Sequence, residues 1–262
     1  MYKLSEISCK APKELDKEAT KETTKELLEE LDELQNRLYA ETKQSLLVVF
    51  QGMDGSGKDG ATKAVFKGIN PQGIRTVSFK KPTVDELAQD FLWRVHRHAP
   101  PKGYIQIFNR SHYEDVLVVR VDGYVDDKTA QKRFKMINDF EQLLQNTGTR
   151  ILKFYPHVSM ESQLERFAER VVDPRKQWKF GVEDLQKFKQ RDKYLKYYGE
   201  VFDNCSPDIP WHIVPSDQNW YKEYYITKTI VETLKDMDPQ YPQVKIDRTD
   251  PEIAELIRRY GK

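Results

Sequence analysis

The chain is predicted to be an α/β protein of three layers, α/β/α, built on a five-stranded parallel sheet. Two observations carry that prediction. Five short runs rich in β-branched and aromatic residues alternate with stretches of helical periodicity, the pattern of βαβ units whose sheet is covered on both faces. The first run, Leu46-Leu47-Val48-Val49-Phe50-Gln51, empties directly into Gly52-Met53-Asp54-Gly55-Ser56-Gly57-Lys58-Asp59-Gly60. That segment has the spacing G-x-x-x-x-G-K, in which glycines let backbone N–H groups close around phosphate oxygens and the lysine neutralises them. A helix starting at the loop's end adds its own free N–H groups and dipole to the anion site.

Taken in order, residues 12–44 carry leucines at Leu27, Leu28, Leu31, Leu34 and Leu38, the stripe of an amphipathic helix. Heptads are not sustained, so this helix is expected on the flank of the domain rather than in a coiled coil. The loop is followed by a helix over 61–68, ended near Gly68 and Asn70-Pro71, and a strand over 75–79. Pro82-Thr83 opens a helix reaching about residue 98, where Pro100-Pro101 stops it. A third strand over 104–108 leads into Asn109-Arg110-Ser111-His112-Tyr113-Glu114-Asp115. A helix over 129–146 precedes the fourth strand, 150–155, and the fifth lies at 211–215. Between these two, helices near 159–171 and 182–203 are joined by a polar, basic turn. They read as a lid over the carboxyl edge of the sheet, where α/β proteins bind ligands. A helix at 219–236, a proline-containing linker and a short helix complete one domain, 1–262. Asp250-Pro251-Glu252 caps that last helix and Gly261 ends it.

With 262 residues the chain can bury one good core. Its formal net charge is +1, so no global field points to nucleic acid or membrane surfaces, and any basic site is local. Cys9 and Cys205 have neither metal-ligand nor redox spacing. The N-terminus lacks the apolar core of a signal peptide and no apolar run approaches about 18 residues, so a cytoplasmic protein is expected.

Lys58 is the strongest candidate for function, with Gly52, Gly55, Ser56, Gly57, Asp59 and Gly60 completing the phosphate cradle. Asp54 faces the same phosphates, which suits an anion only if a cation comes between, so magnesium ligation is its expected role; a turn-former is the alternative. Asp59 replaces the Ser or Thr whose hydroxyl normally helps hold magnesium, and reads equally as a metal ligand or a helix-capping carboxylate. Asn109 stands where the third strand usually ends in a magnesium-binding acid, and Arg110 follows it towards the developing phosphoryl charge. Glu114 either restores the missing carboxylate or favours a helix dipole; both readings stay open. His112 reads as a hydrogen-bonding core residue, since a phosphate acceptor needs no strong base. From Arg166 to Lys196 there are ten Lys or Arg against five acids, an excess of +5 in a chain of net +1. That surface suits a polyanion. Arg170, Lys176 and Lys179, around the Asp173-Pro174 turn, are expected to point inward, and Lys187, Lys189 and Lys193 to lie on a solvated face. Trp178 and Phe180 serve either base stacking or lid packing.

Three segments in order, Gly52-x-Asp54-x-x-Gly57-Lys58-x-Gly60, Phe108-Asn109-Arg110-Ser111-His112-Tyr113-Glu114-Asp115-Val116-Leu117, and Glu169-Arg170 with Pro174-x-Lys176-x-Trp178-Lys179-Phe180, make the chain resemble the family-2 polyphosphate kinases over residues 25–242. The Asn109 and Glu114 pair is similar to the class III members, which phosphorylate nucleoside mono- and diphosphates from inorganic polyphosphate. The resemblance implies a P-loop kinase fold with a helical lid, Mg2+ dependence, adenine nucleotides as acceptors and a homo-oligomer, dimer or tetramer. It further implies that Asp54, Lys58, Asn109, Arg110 and Glu114 form the transfer site, with Asp54 and Glu114 towards the metal, and that Arg170, Lys176 and Lys179 hold phosphate chain or nucleotide. The expected reaction is reversible, AMP to ADP and ADP to ATP. An ATP-dependent nucleoside monophosphate kinase of the thymidylate-kinase type and a non-catalytic polyanion-binding module are the alternatives.

Overall fold

Strand β1 (Ser45–Phe50) is buried at every position, as a central parallel strand covered on both faces has to be. A computed structural model of the chain describes residues 2–205 and 208–261; positions 1, 206, 207 and 262 of the expected domain lie outside the described residues. Strands β2 (Ile74–Val77), β3 (Ile105–Asn109), β4 (Thr149–His157) and β5 (Trp211–Pro215) join β1 in one parallel sheet of order β2-β3-β1-β4-β5. In register, Val48 faces Ile107 on one side and Leu152 on the other. Phe50 ends level with Asn109 and Phe154, so the chain leaves β1 and β3 side by side at one edge.

Alternation along β1 assigns its side chains to two cores. Leu46, Val48 and Phe50 meet α1 (Lys17–Glu41) through Leu31, Leu34 and Leu38, and α10 (Asn219–Met237) through Ile226, Ile230 and Leu234. Ala61 and Val65 of α2 (Lys58–Val65) close that layer. The leucine stripe of α1 therefore packs on the domain's own flank, as its missing heptads indicate. Leu47 and Val49 face the other core, with Phe134 and Ile137 of α6 (Asp127–Asn146), Phe202 of α9 (Arg191–Asn204) and Trp211.

Local chemistry moves several expected boundaries. Helix α2 starts at Lys58 rather than 61, which places Asp59 and Gly60 in its first turn. The single helix expected over 82–98 is two isolated turns, α3 (Val84–Leu87) and α4 (Trp93–His96). Asp90 interrupts it by accepting from the backbone N–H groups of Leu92 and Trp93, the local competition that short acidic side chains offer a helix. After β3, Glu114 lies in a 3-10 turn, His112–Val116, followed by the short α5 (Val118–Val121). The expected lid contains α7 (Met160–Val172), then α8 (Val182–Lys189) and α9, so the predicted helix 182–203 is broken at Gln190. The C-terminal α11 (Pro251–Tyr260) has the predicted Asp250 cap, which accepts from Glu252 and Ile253. No helix among the described residues is long and apolar enough to cross a membrane.

Candidate active site

Between β1 and α2 the backbone turns through two left-handed glycines, Gly55 (φ 82°) and Gly57 (φ 94°), a conformation that costs a residue with a Cβ. This turn folds Lys58 back over its own loop. Its ammonium is buried and donates to the carbonyl oxygens of Gly52 (2.6 Å) and Met53 (2.9 Å). Burial, with Arg110 nearby, pulls the ammonium down to about 8 against the attraction of Asp54, Glu114 and Asp59. The Ser56 hydroxyl is buried without a hydrogen-bond partner among the described residues. The loop is braced from outside. Ser216 Oγ donates to the Ser56 carbonyl (2.6 Å), Gln163 Nε2 to that of Asp54 (2.6 Å), and Arg166 to that of Gly55 (2.8 Å).

The exit of β3 places its side chains against this loop. Arg110 adopts a left-handed backbone, φ 66°, while its N–H continues the sheet to the Phe50 carbonyl. That bend aims the guanidinium at two acids: Nη2 lies 2.5 Å from Asp54 Oδ1 and Nη1 3.8 Å from Glu114 Oε1. Burial alone would raise Asp54, but Arg110, Lys58 and Lys187 outweigh it and hold the carboxyl at about 2. Burial opposes the Arg110 charge as well, yet Asp54 and Glu114 keep it protonated above its ordinary range. Glu114 accepts from Gln51 Nε2 (2.6 Å), and the Gln51 side-chain Oε1 receives Ser111 N–H and Oγ–H. Gln51 thus ties the end of β1 to the turn that carries Arg110 and Glu114. Asn109 points to the loop's other end and donates to Asp59 Oδ1 (2.8 Å).

Beneath this turn lies a closed polar network. Lys153, fully buried, donates to Glu141 (2.7 Å), Tyr113 Oη (2.9 Å) and the Cys205 carbonyl (2.6 Å). Glu141 also pairs with His112 Nε2 (3.0 Å). His112 is therefore the buried core residue that the sequence indicates.

The basic helices reach the loop unevenly. Lys179 pairs with Asp59 at 3.2 Å. Its hydrogen bond and that from Asn109 lower the Asp59 carboxyl against the effect of burial. Arg170 lies 3.5 Å from Asp184 and stacks over Phe167, whereas Lys176 pairs with Glu169 and Asp173. The expectation for Lys187 is corrected. It lies 3.6 Å from Asp54 rather than on a solvated face, because the break at Gln190 turns α8 towards the loop. Phe180 packs edge-on to Phe167, while Trp178 is 78% exposed. Cys9 and Cys205 are free thiols that burial pushes up to about 11 and about 12.

Sequence reasoning missed Gln51, Gln163, Arg166, Lys187, Arg191 and Lys222. Arg166 had a readable signal, since it precedes Arg170 by one helical turn. Arg191 donates to Gln163 and to the Val158 carbonyl (2.6 Å), fixing α9 to the loop's neighbours. Among the described residues no three acids, histidines or cysteines form a metal cluster. Asp54 and Glu114 nevertheless converge on one cationic position, now that of Arg110. Two carboxylates of this kind match what Mg2+ takes from a protein when phosphate oxygens and water supply the rest. Asp54, Arg110 and Glu114 line a cleft with Lys187 and Arg191, and its remaining walls include the aromatic side chains Phe188, Tyr194 and Tyr198.

A model of the family described as polyphosphate kinase 2 matches residues 14–242. The chain is 46% identical over 213 residues to an AMP/ADP-polyphosphate phosphotransferase of Meiothermus ruber, covering 81% of this chain and 80% of that one. It is 39% identical over 224 residues to an ADP-polyphosphate phosphotransferase of Rhodopseudomonas palustris, covering 80% and 78%. Among solved structures, polyphosphate kinase 2 from Arthrobacter aurescens superposes with a TM-score of 0.93 at 32% identity, covering 98% of this chain and 93% of that one.

Proposed function

As a member of the polyphosphate kinase 2 family the chain is a phosphotransferase, and we propose that it moves the terminal phosphoryl group of inorganic polyphosphate to AMP and ADP. One observation carries the reading within the chain itself. The Lys58 ammonium is buried against carbonyl oxygens alone, while Lys179 and Lys187 approach the same loop from the basic helices. The donor end sits in the loop and the nucleotide in the aromatic cleft, its phosphate towards Arg110.

A terminal phosphate oxygen of the acceptor attacks the last phosphorus of the chain. The bond from that phosphorus to the bridging oxygen breaks, and the shortened polyphosphate leaves with the electron pair. The acceptor's last pKa is about 6, so it arrives largely deprotonated and no side chain has to remove a proton. Catalysis then consists of alignment and stabilisation of the charge spread over the transferred oxygens. Lys58 and Arg110 supply fixed positive charge, Gln51 and the buried network hold the 110–114 turn, and Lys179 and Lys187 follow the helices that close over the donor and exclude water. Asp54 and Glu114 would hold Mg2+, and the ion would supply neutralisation of phosphate charge. One phosphoanhydride is broken as another forms, so the reaction runs in both directions.

The deciding experiment incubates the protein with AMP, ADP, GMP or GDP, each with polyphosphate or ATP as donor, with and without magnesium. The reading requires ADP from AMP and ATP from ADP with polyphosphate and magnesium. Turnover with ATP alone would replace it by a nucleotide-donor kinase, although Asp59 in place of a Ser or Thr weighs against that.

A further inference from the structure

We propose that Lys222, paired with Arg166 behind Gly57, is a donor-positioning cation whose missing counter-charge is the bound polyphosphate chain. The proposal rests on the donor reading above and adds to it a residue outside the loop motif and the basic helices.

Gly57 directly precedes Lys58, and a Cβ there would collide with the Lys222 ammonium and lie 3.3 Å from Arg166 Nη1. Two cations from different helices, α7 and α10, thus converge on one loop residue. Neither lines the aromatic cleft, so they act on the loop from outside it. Lys222 is 1% exposed, and the hydrogen bond it makes is to a neutral group, Asn219 Oδ1, at 2.9 Å. Among the described residues no carboxylate lies within ion-pair distance of it. Glu223, its chain neighbour, and Asp217, which attracts Arg166 and accepts from Ser159 N–H, are the acids of this region.

Lys153 provides the contrast. It is equally buried but has a carboxylate, a phenol and a carbonyl as partners. A buried cation with a neutral partner and a second cation beside it is costly, and is kept where something else completes it. Lys58 is likewise buried with neutral hydrogen-bond acceptors, although Asp54, Glu114 and Asp59 attract it, and in this reading it also meets donor phosphate. Burial and Arg166 pull Lys222 down to about 8, the value Lys58 also takes. A polyanion seated in the loop would supply the counter-charge that Lys222 lacks in its hydrogen bonding.

The test compares wild type with Lys222→Met and Lys222→Gln. Steady-state kinetics give kcat and separate KM values for polyphosphate and AMP, and calorimetry gives the affinity for long-chain polyphosphate without acceptor. Both variants are expected to raise the polyphosphate KM and Kd roughly tenfold or more. The AMP KM should stay within about twofold, and the melting temperature should be unchanged or higher, since an uncompensated buried charge is removed. An unchanged polyphosphate Kd would overturn the proposal. So would a parallel rise of both KM values with a lower melting temperature, which marks a structural lysine. Wild type that binds polyphosphate without transferring from it would defeat the donor reading, while the binding arm would still decide the role of Lys222.

Discussion

Lys58 and Asp54 sit four residues apart on one loop and respond to burial in opposite ways. Burial and Arg110 draw the ammonium down, whereas four cations, Arg110, Lys58, Lys187 and Arg170, hold the carboxylate ionised against burial. In the proposed donor site Lys58→Ala removes a fixed positive charge and should lower kcat by about a thousandfold or more. Its hydrogen bonds are confined to the loop, so the circular dichroism melt should move little; a variant that keeps activity excludes the mechanism. Asn109→Asp would set a second carboxylate against Asp59, where an amide N–H now donates. The ratio of AMP to ADP turnover should shift severalfold, and an unchanged ratio would remove Asn109 from acceptor choice. Both residues were legible because loop spacing and strand-end position are one-dimensional facts. Lys222 was not, since nothing in Asn219-Trp220-Tyr221-Lys222 tells that the first turn of this helix lies against a glycine 165 positions earlier.

At the scale of elements, all five strands and most helices were readable, but the two helices expected over 82–98 and 182–203 are each broken. Strand cores are continuous apolar runs, but a helix can be interrupted by one side chain that competes for backbone N–H groups, as Asp90 does. The break at Gln190 had the larger effect on the site. As one helix, 182–203 is expected to leave Lys187, Lys189 and Lys193 to solvent. As two, α8 presents Lys187 to Asp54 and α9 presents Arg191 to Gln163. Lys187→Ala should reduce kcat/KM for polyphosphate about tenfold, the loss of one charge-assisted contact. Its ion pair is partly solvated, so the melting temperature should change by no more than a degree or two. Equal kcat/KM in the variant would return Lys187 to the solvent-facing role.

Across the whole molecule, the polar network of Lys153, Glu141, Tyr113 and His112 links β4, α6 and the turn that carries the site. Burial would raise the Glu141 carboxyl, but Lys153 and His112 outweigh it and keep it below its ordinary 4.5. A group whose value is depressed on folding stabilises the protein above its unfolded value and withdraws that support as pH falls through the folded one. Stability from Glu141 is therefore complete above 4.5 and lost progressively in more acid solution. Glu141→Gln leaves Lys153 without its carboxylate and should cost about 3–5 kcal/mol in urea unfolding at pH 7. Near pH 3 the difference from wild type should shrink; a constant difference across pH would show that Glu141 is not the titrating group.

The chain has four tryptophans, and Trp211 is buried in the sheet core. Trp178 stands in water on the segment between α7 and α8, beside Lys179, which already touches the loop helix at Asp59. Its indole is thus a built-in optical gauge: blue-shifted emission and weaker acrylamide quenching on adding substrates would time the descent of these helices without any attached dye.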